Sequence, residues 1–373
     1  VNNDNPAMLD VDLSRKRQKR LLDAMAERKL DAVVVGDPQH VYYFSAKRPN
    51  WLHFGAFILF SDGRSWLTSG NTPAEGAAVD ESFAYEAQWM ATLRQEQPAV
   101  VAAQVLAALK GRRAREIGVD ASAVTSQVAL MAELDVEPVD PVIWQLRRQK
   151  EADELALLRK AAKCADAMYR RAREIIAPGV AELDVYTQLM AAAVAEAQEP
   201  MSALLGNDYA CGGGGGPPRA GRTCQPGELY IIDVGPAYRG YFADACRTFS
   251  VDQKPTDEQL QAHEAIVGAL GIVEKLARPG AKCREIYQAV FEHLKDCSGA
   301  RFPHHLGHGI GLQPHEYPHL NPKWDDILLE GEVFTAEPGL YAPQLKSGIR
   351  LENDYVVTAD GVENLISSSL ALS

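Results

Sequence analysis

"ELYIIDVGPAYRGYFADACRTFSV", residues 228–251, carries the feature on which the reading of the fold turns. "LYIIDVG" reads as a buried strand ending in a carboxylate, and "GYFADACRTF" as a second strand. With Tyr238 and Arg239 as the turn, Asp233 sits directly opposite Asp244, their Cβ atoms about 5 Å apart on one face. Two like charges that close in an apolar sheet are unfavourable unless a proton or a cation lies between them. The alternative is a solvent-facing hairpin with a chance acid pair, but "YIID" and "YFAD" read as interior.

A second segment repeats the pattern. "GEVFTAEPGLY" places Glu337 at the end of an apolar strand, as Asp233 is placed. "GIRLENDYVVT" places Glu352 inside the next strand, with Arg350 two residues away on the same face. Upstream of each segment lies a helix, a Pro-Gly break and another helix. Pro178, Gly179 and Tyr186 recur at Pro279, Gly280 and Tyr287, 101 residues on each time. A duplicated α+β unit with a pseudo-two-fold axis brings two acids from each half to one point. Between the acid-bearing strands of the two halves, "FPHHLGHGIGLQPHE" (302–316) sets His304, His308 and His315 among Gly307, Gly309 and Gly311, where the backbone can approach something closely. Any one of these histidines alone reads as a hydrogen-bonded structural residue; the cluster does not. Four carboxylates and an imidazole favour Mn²⁺, Co²⁺ or Fe²⁺ and admit Zn²⁺, with room for two ions. Two ions about 4 Å apart hold a bridging hydroxide and polarise a carbonyl.

Ahead of this unit the texture differs. Strand-like runs "AVVVG" (32–36), "VYYFS" (41–45), "GAFILF" (55–60), "SWLT" (65–68) and "EIGVD" (116–120) alternate with helical stretches such as "AVVAAQVLAALK" (99–110), which makes an α/β domain. No glycine-rich dinucleotide fingerprint is present. "RRQKEADELALLRKAAKCADAMYRRAREII" then reads as one long amphipathic helix, with Leu155, Leu158, Ala162, Ala165, Met168 and Ala172 on its apolar face. The boundary falls in "WQLRRQKEAD" (144–153), giving domains 1–148 and 149–373. The net charge of −12 argues against a nucleic-acid binder. "RKRQKR" (15–20) reads as the solvated face of a helix. No apolar run reaches the roughly 18 residues of a membrane span. No secretory signal is visible, although the chain opens on Val rather than Met. The six cysteines contain no C-x-x-C pair, and scattered thiols suit a reducing cytoplasm.

The order Asp233, Asp244, "GHGIGL…HE", "EPGLY" and "GIRLE" closely resembles the pita-bread metallopeptidases: prolidase, aminopeptidase P and methionine aminopeptidase. "VYYFS…GAFILF" upstream resembles the amino-terminal domain of creatinase, prolidase and aminopeptidase P, so the resemblance spans almost the whole chain. It implies a creatinase-type α/β amino-terminal domain followed by an α+β pita-bread catalytic domain with an internal pseudo-two-fold repeat. It implies Asp233, Asp244, His308, Glu337 and Glu352 as ligands of two divalent ions, with Asp244 and Glu352 shared between them. Glu337 matches the general base, His304 and His315 the substrate-binding histidines, and Arg350 an arginine near the second metal. It further implies a homodimer.

One element departs from the family pattern. The resemblance calls for another histidine upstream of the first metal Asp, and the count back from Asp233 lands on Gly216. No histidine lies between residues 54 and 262. The position falls in "ACGGGGGPPRAG" (210–221), which lacks the Gly-Lys-Ser/Thr of a phosphate-binding loop. Either the run is a plain flexible loop, or it is an altered pocket wall that offers backbone N–H groups. Arg219 or Arg222 could replace the missing donor, as could Trp51 or His53 of "NWLHF" (50–54) borrowed from a neighbouring subunit. For "NWLHF" the alternative is an ordinary surface loop. The expected function is an Xaa-Pro peptidase acting on a small molecule or short peptide. The alternatives are a non-peptidase relative of the creatinase, ectoine hydrolase or dimethylsulfoniopropionate lyase type, or an inactive binding module.

Overall fold

The computed structural model describes residues 8–132, 136–297 and 299–372. The chain divides into two compact units, one reaching Arg147 and the other beginning at Arg148. The first unit is built on a six-stranded sheet. Its order is Glu81–Tyr85, Ser65–Gly70, Ala56–Phe60, Ala32–Val35, Ile117–Val119, Val136–Pro138. Ala32–Val35 is the pivot, antiparallel to Ala56–Phe60 and parallel to Ile117–Val119. Val101, Val105 and Leu109 of helix Gln97–Gly111 pack on one face of it.

Two expectations for this unit are corrected. "VYYFS" is not a strand but part of helix Pro38–Ser45. Asp37 caps that helix by accepting from the N–H groups of Gln39 and His40, and Pro38 supplies a pre-set first turn. That start signal outweighs the β-leaning of the run that follows. The basic run lies on helix Val11–Arg28, but it is only partly solvated. Arg17 is buried over the Tyr43 ring, and buried Gln18 donates to the carbonyls of Phe44 and Ala78.

The expected long helix is broken near its start. Asp140–Arg148 ends, and Ala152–Ile175 begins behind a reciprocal cap between Glu151 and Glu154. Gln149 leaves the helical path to form a bridge with Glu332. Of the expected apolar face, Leu158, Ala162, Ala165, Met168 and Ala172 are buried and Leu155 only partly so; Leu157, Ala161 and Cys164 widen the stripe.

The duplication is visible in the backbone. Helices Ala152–Ile175 and Glu182–Ala197 correspond to Asp257–Leu276 and Cys283–Leu294. At each Pro-Gly break the glycine has a positive φ, +92° at Gly179 and +86° at Gly280. The same bonds then recur: Gly179 N–H to Cys224 C=O and Gly280 N–H to Leu328 C=O, both 2.8 Å. Cys224 N–H donates to Val180 C=O and Leu328 N–H to Ala281 C=O, both 2.9 Å. In the first half Leu229–Tyr238 runs between Ala203–Asp208 and Ala245–Ser250. In the second the order is Glu316–Leu320, Gly307–Gly309, Val333–Ala336, Asn353–Val357, Val362–Asn364. A bridge between Cys246 and Glu352 stitches the two sheets together. Ile266, Leu270, Val273, Ile286 and Val290 of the second helix pair bury against Phe334, Leu340, Ile349 and Tyr355.

Candidate metal centre

The hairpin turns one residue later than expected. Tyr238 pairs with Tyr241, leaving Arg239 (φ +48°) and Gly240 (φ +93°) as a two-residue turn. Asp233 therefore lies opposite Cys246, and Asp244 is its diagonal neighbour on the same face. Glu337 follows strand Val333–Ala336 directly, and Pro338 behind it ends the ladder. Glu352 sits where the second half bridges the first, exchanging backbone bonds with Cys246.

His308 is carried by Gly307–Gly309, and both glycines are required by the neighbours. A Cβ at Gly307 would stand 2.0 Å from the Thr335 carbonyl oxygen, and one at Gly309 would stand 1.8 Å from that of Tyr317. The third glycine, Gly311, faces the Glu316 carboxylate. The close approach expected of these glycines is thus to adjacent strands.

These elements converge on one place. Asp233, Asp244 and Glu352 offer oxygens within 4.8 Å of one another, as do the ligand atoms of His308, Glu337 and Glu352, and of Asp244, His308 and His315. His308 Nε2 is 3.8 Å from both Asp244 Oδ2 and Glu337 Oε1. Its Nδ1 lies 2.9 Å from the Gly309 carbonyl, the arrangement that leaves Nε2 as the free lone pair. The His315 ring stacks on His308 with centroids 3.7 Å apart.

Burial and mutual repulsion set the electrostatics of the acids. Burial, together with neighbouring acids, pushes the Asp233 carboxyl up to about 6 despite Arg350 beside it. Burial first, and then the other carboxylates, drive Asp244 and Glu352 well above the ordinary range. Glu337 behaves oppositely. Burial raises it, but the hydrogen bond with His305 and the Arg350 charge hold it below the usual glutamate value. Burial lowers His308 to about 4 and also depresses His304 and His315. Asp233 Oδ1, Asp244 Oδ1 and Glu352 Oε2 are buried and have no hydrogen-bond partner. Hard oxygen acceptors, aimed inward and unsatisfied, with a neutral imidazole among them, fit divalent cations.

Around the acids is a polar shell that sequence reasoning only partly found. Arg350 donates to Asp233 Oδ2 at 2.6 Å, to Asp208, and to the Tyr341 hydroxyl at 3.1 Å. Tyr341 is 3.1 Å from His304 Nε2, and His304 Nδ1 is 2.8 Å from the His305 carbonyl. His305 Nε2 is 2.9 Å from Glu337 Oε1. His305 stands inside the histidine motif and Tyr341 closes "EPGLY", so both had a signal. Asp208 had none beyond lying close before the glycine run.

The Arg219 guanidinium is held by buried Glu182 and the Cys211 carbonyl, and Arg222 is held by Glu228 and the Thr223 carbonyl. The Gly216 N–H is taken by Asp208, Gly212 N–H by Leu229 C=O and Gly213 N–H by Ala210 C=O. The expected wall of free backbone donors is therefore largely committed within the protein. Trp51, 89% exposed, and His53 belong to the first unit, where His53 packs against Gly70.

Residues 156–359 match metallopeptidase family M24, and residues 17–149 match the creatinase/prolidase N-terminal domain. The chain is 28% identical over 371 residues to an Xaa-Pro dipeptidase of Pyrococcus furiosus, covering 96% of this chain and 99% of the relative. It superposes on the prolidase from Pyrococcus horikoshii with a TM-score of 0.81 at 24% identity, covering 96% and 100% of the two chains. The X-Pro aminopeptidase from Thermotoga maritima gives 0.78 at 21%, covering 95% and 98%.

Proposed function

The chain belongs to metallopeptidase family M24 and is a hydrolase, and on that premise we propose that it cleaves the amide bond before proline in short Xaa-Pro peptides with two divalent metal ions. The observation that carries the metal part is the set of partnerless, buried carboxylate oxygens on Asp233, Asp244 and Glu352, ringed by His308 and Glu337. Those five residues would hold the ions, with Mn²⁺, Co²⁺ or Fe²⁺ preferred by the oxygen-rich donor set. Bound there, a divalent pair supplies an activated water and polarises the scissile carbonyl.

The chain's own residues do the rest. Glu337, kept ionised by His305, accepts the proton of the attacking water and returns it to the leaving amine. His315, on the exposed side of the stacked pair with His308, and neutral His304 face the substrate carbonyl. Arg350 fixes Asp233 from the side away from its unpartnered oxygen. The Xaa-Pro preference is supported by the names of the relatives, dipeptidase and aminopeptidase alike. Cys164, Cys211, Cys224, Cys246 and Cys283 are buried outside any disulfide, and among the described residues no helix is long and apolar enough to cross a membrane. A cytoplasmic homodimer is part of the same proposal.

One observation favours a second reading, a non-peptidase hydrolase on the same fold. The glycine run occupies the place where the resemblance calls for a substrate-facing histidine, and its neighbouring arginines are committed to Glu182 and Glu228. A panel of Xaa-Pro dipeptides and Xaa-Pro-peptides with Mn²⁺ or Co²⁺ decides between the two. Turnover of at least one is expected; metal-loaded protein that cleaves none overturns the peptidase reading. Protein that retains no divalent ion after loading overturns the metal centre itself.

A further inference from the structure

Asp208 ends strand Ala203–Asp208 and lies in register with Asp233 on the adjacent strand. Its carboxylate accepts from two directions. One is the backbone N–H of Gly216; the other is Arg350 Nη2, the same nitrogen that donates to Asp233. The glycine run is shaped to this carboxylate. Gly212, Gly214, Gly215 and Gly216 all have positive φ, from +66° to +138°, a region that favours glycine. A Cβ at Gly215 would stand 2.8 Å from Asp208 Oδ1, so the loop reaches the acid only because the side chain is missing. At its other end Gly212 presses on Glu228, where a Cβ would lie 2.8 Å from Oε1. The run thus folds over two of the chain's own carboxylates.

We propose that Asp208 is a positioning residue for the metal centre, acting through Arg350 on Asp233 and anchored by the glycine run. The proposal rests on the metal-centre reading above. Without Asp208 the Arg350 guanidinium would be met by Asp233 alone, and the Asp233 charge would be spent on it rather than on a cation. Asp208 cancels the guanidinium charge. It also holds the guanidinium against Asp233 Oδ2, leaving Oδ1, the partnerless oxygen, available to a cation. The loop contact in turn keeps Asp208 in place.

The test uses the full chain, stripped with chelator and titrated with Mn²⁺ by calorimetry. Asp208→Asn keeps the shape and removes the charge. It should bind Mn²⁺ roughly ten- to a hundred-fold more weakly than wild type, the usual range for an outer-shell residue. Asp208→Glu should recover part of that loss. Gly215→Ala, which leaves every charge in place and pushes the loop off Asp208, should weaken Mn²⁺ in the same direction by less. Metal-free melting temperatures separate this from a structural post. If the Asp208→Asn and Gly215→Ala variants melt lower yet titrate like wild type, the proposal is wrong; so it is if neither property changes. If Asp208→Asn does not fold, Asp208→Glu and Gly215→Ala decide on the same criterion. Wild type that binds Mn²⁺ but cleaves no Xaa-Pro substrate overturns only the peptidase reading, and the isotherms still judge Asp208. Wild type that binds no Mn²⁺ overturns the metal centre and this inference with it.

Discussion

Metal binding should be tightly linked to proton release, and the sign follows from the buried acids. In the metal-free protein Asp233 has its carboxyl raised to about 6, and burial drives Asp244 and Glu352 well above the ordinary carboxylate range. The folded state then holds protons that the unfolded chain has given up. Stability from such groups is lost as pH rises from the unfolded value through the folded one. For Asp233 the shift of about two units corresponds to roughly 3 kcal/mol lost between pH ~4 and ~6. His308 works the other way. Lowered to about 4 by burial, it binds fewer protons folded than unfolded, so stability rises by a similar amount, roughly 3 kcal/mol, between pH ~4 and ~6.5. The two contributions nearly cancel below pH ~6.5. Asp244, Glu352 and buried Asp354 are raised as well, and each lowers the stability of the metal-free protein as pH rises through its folded value. A bound cation replaces the protons of Asp244 and Glu352, and each proton released is worth about 1.4 kcal/mol, or tenfold in affinity, per pH unit. Release of two protons would tighten Mn²⁺ by up to about a hundred-fold from pH 6 to 7. Thermal melts with chelator and with Mn²⁺ at pH 6, 7 and 8 measure the consequence directly. The gap in melting temperature should widen with pH. Calorimetry in two buffers of different ionisation enthalpy counts the protons. A gap that stays flat or narrows, or a proton count of zero, would refute the reasoning, because the carboxylates would then be ionised without the metal.

Three further outcomes follow from single contacts. His308→Ala and Asp244→Ala should each lower turnover by about a thousand-fold or more while the far-UV circular dichroism stays close to wild type, since each removes a donor from the centre; near-normal turnover in either would show the ligand assignment to be mistaken. Gly309→Ala places a Cβ 1.8 Å from the Tyr317 carbonyl oxygen, so urea unfolding should show a loss of about 3 kcal/mol, and an unchanged midpoint would rule out the close strand approach. Glu332→Gln removes the charge that buried Arg148 meets and should destabilise by about 3–5 kcal/mol in the same assay, whereas a neutral result would mean that Arg148 finds another acceptor.

What the chain reveals before folding depends on how far each signal travels. The four acids and the imidazole of the centre were legible because their chemistry is costly anywhere else in an apolar sheet. The hairpin register was missed by one residue although its cause is local: "RG" supplies the two left-handed positions that a two-residue turn demands, and Tyr238 does not. "VYYFS" departs from its strand-like composition for a local reason too, the Asp-Pro start that precedes it. The break after Arg148 is different. It depends on a bridge from Gln149 to Glu332, a partner far along the chain that no window of sequence contains.

The glycine run combines both kinds of signal. Its composition announces a backbone that comes close to something, and that much is local. What it approaches is not a phosphate or an empty pocket but Asp208 and Glu228. Asp208 has a meaning only because Arg350, 142 residues later, brings Asp233 to the same nitrogen. A loop that lacks the expected histidine therefore need not be a loop that has lost its part in the site. Its backbone N–H at Gly216 is engaged on Asp208, one step behind the proposed metal ligands, where on our proposal it bears on their charge and aim rather than on the substrate. A change of substrate class would require the loop to alter what the pocket touches; the contacts on Asp208 would, on our proposal, alter instead how strongly Asp233 can hold a cation. The absent histidine and the present aspartate are for that reason separable: restoring a histidine at Gly216, by Gly216→His, should break the Asp208 contact through its positive φ of +109° before it supplies a donor.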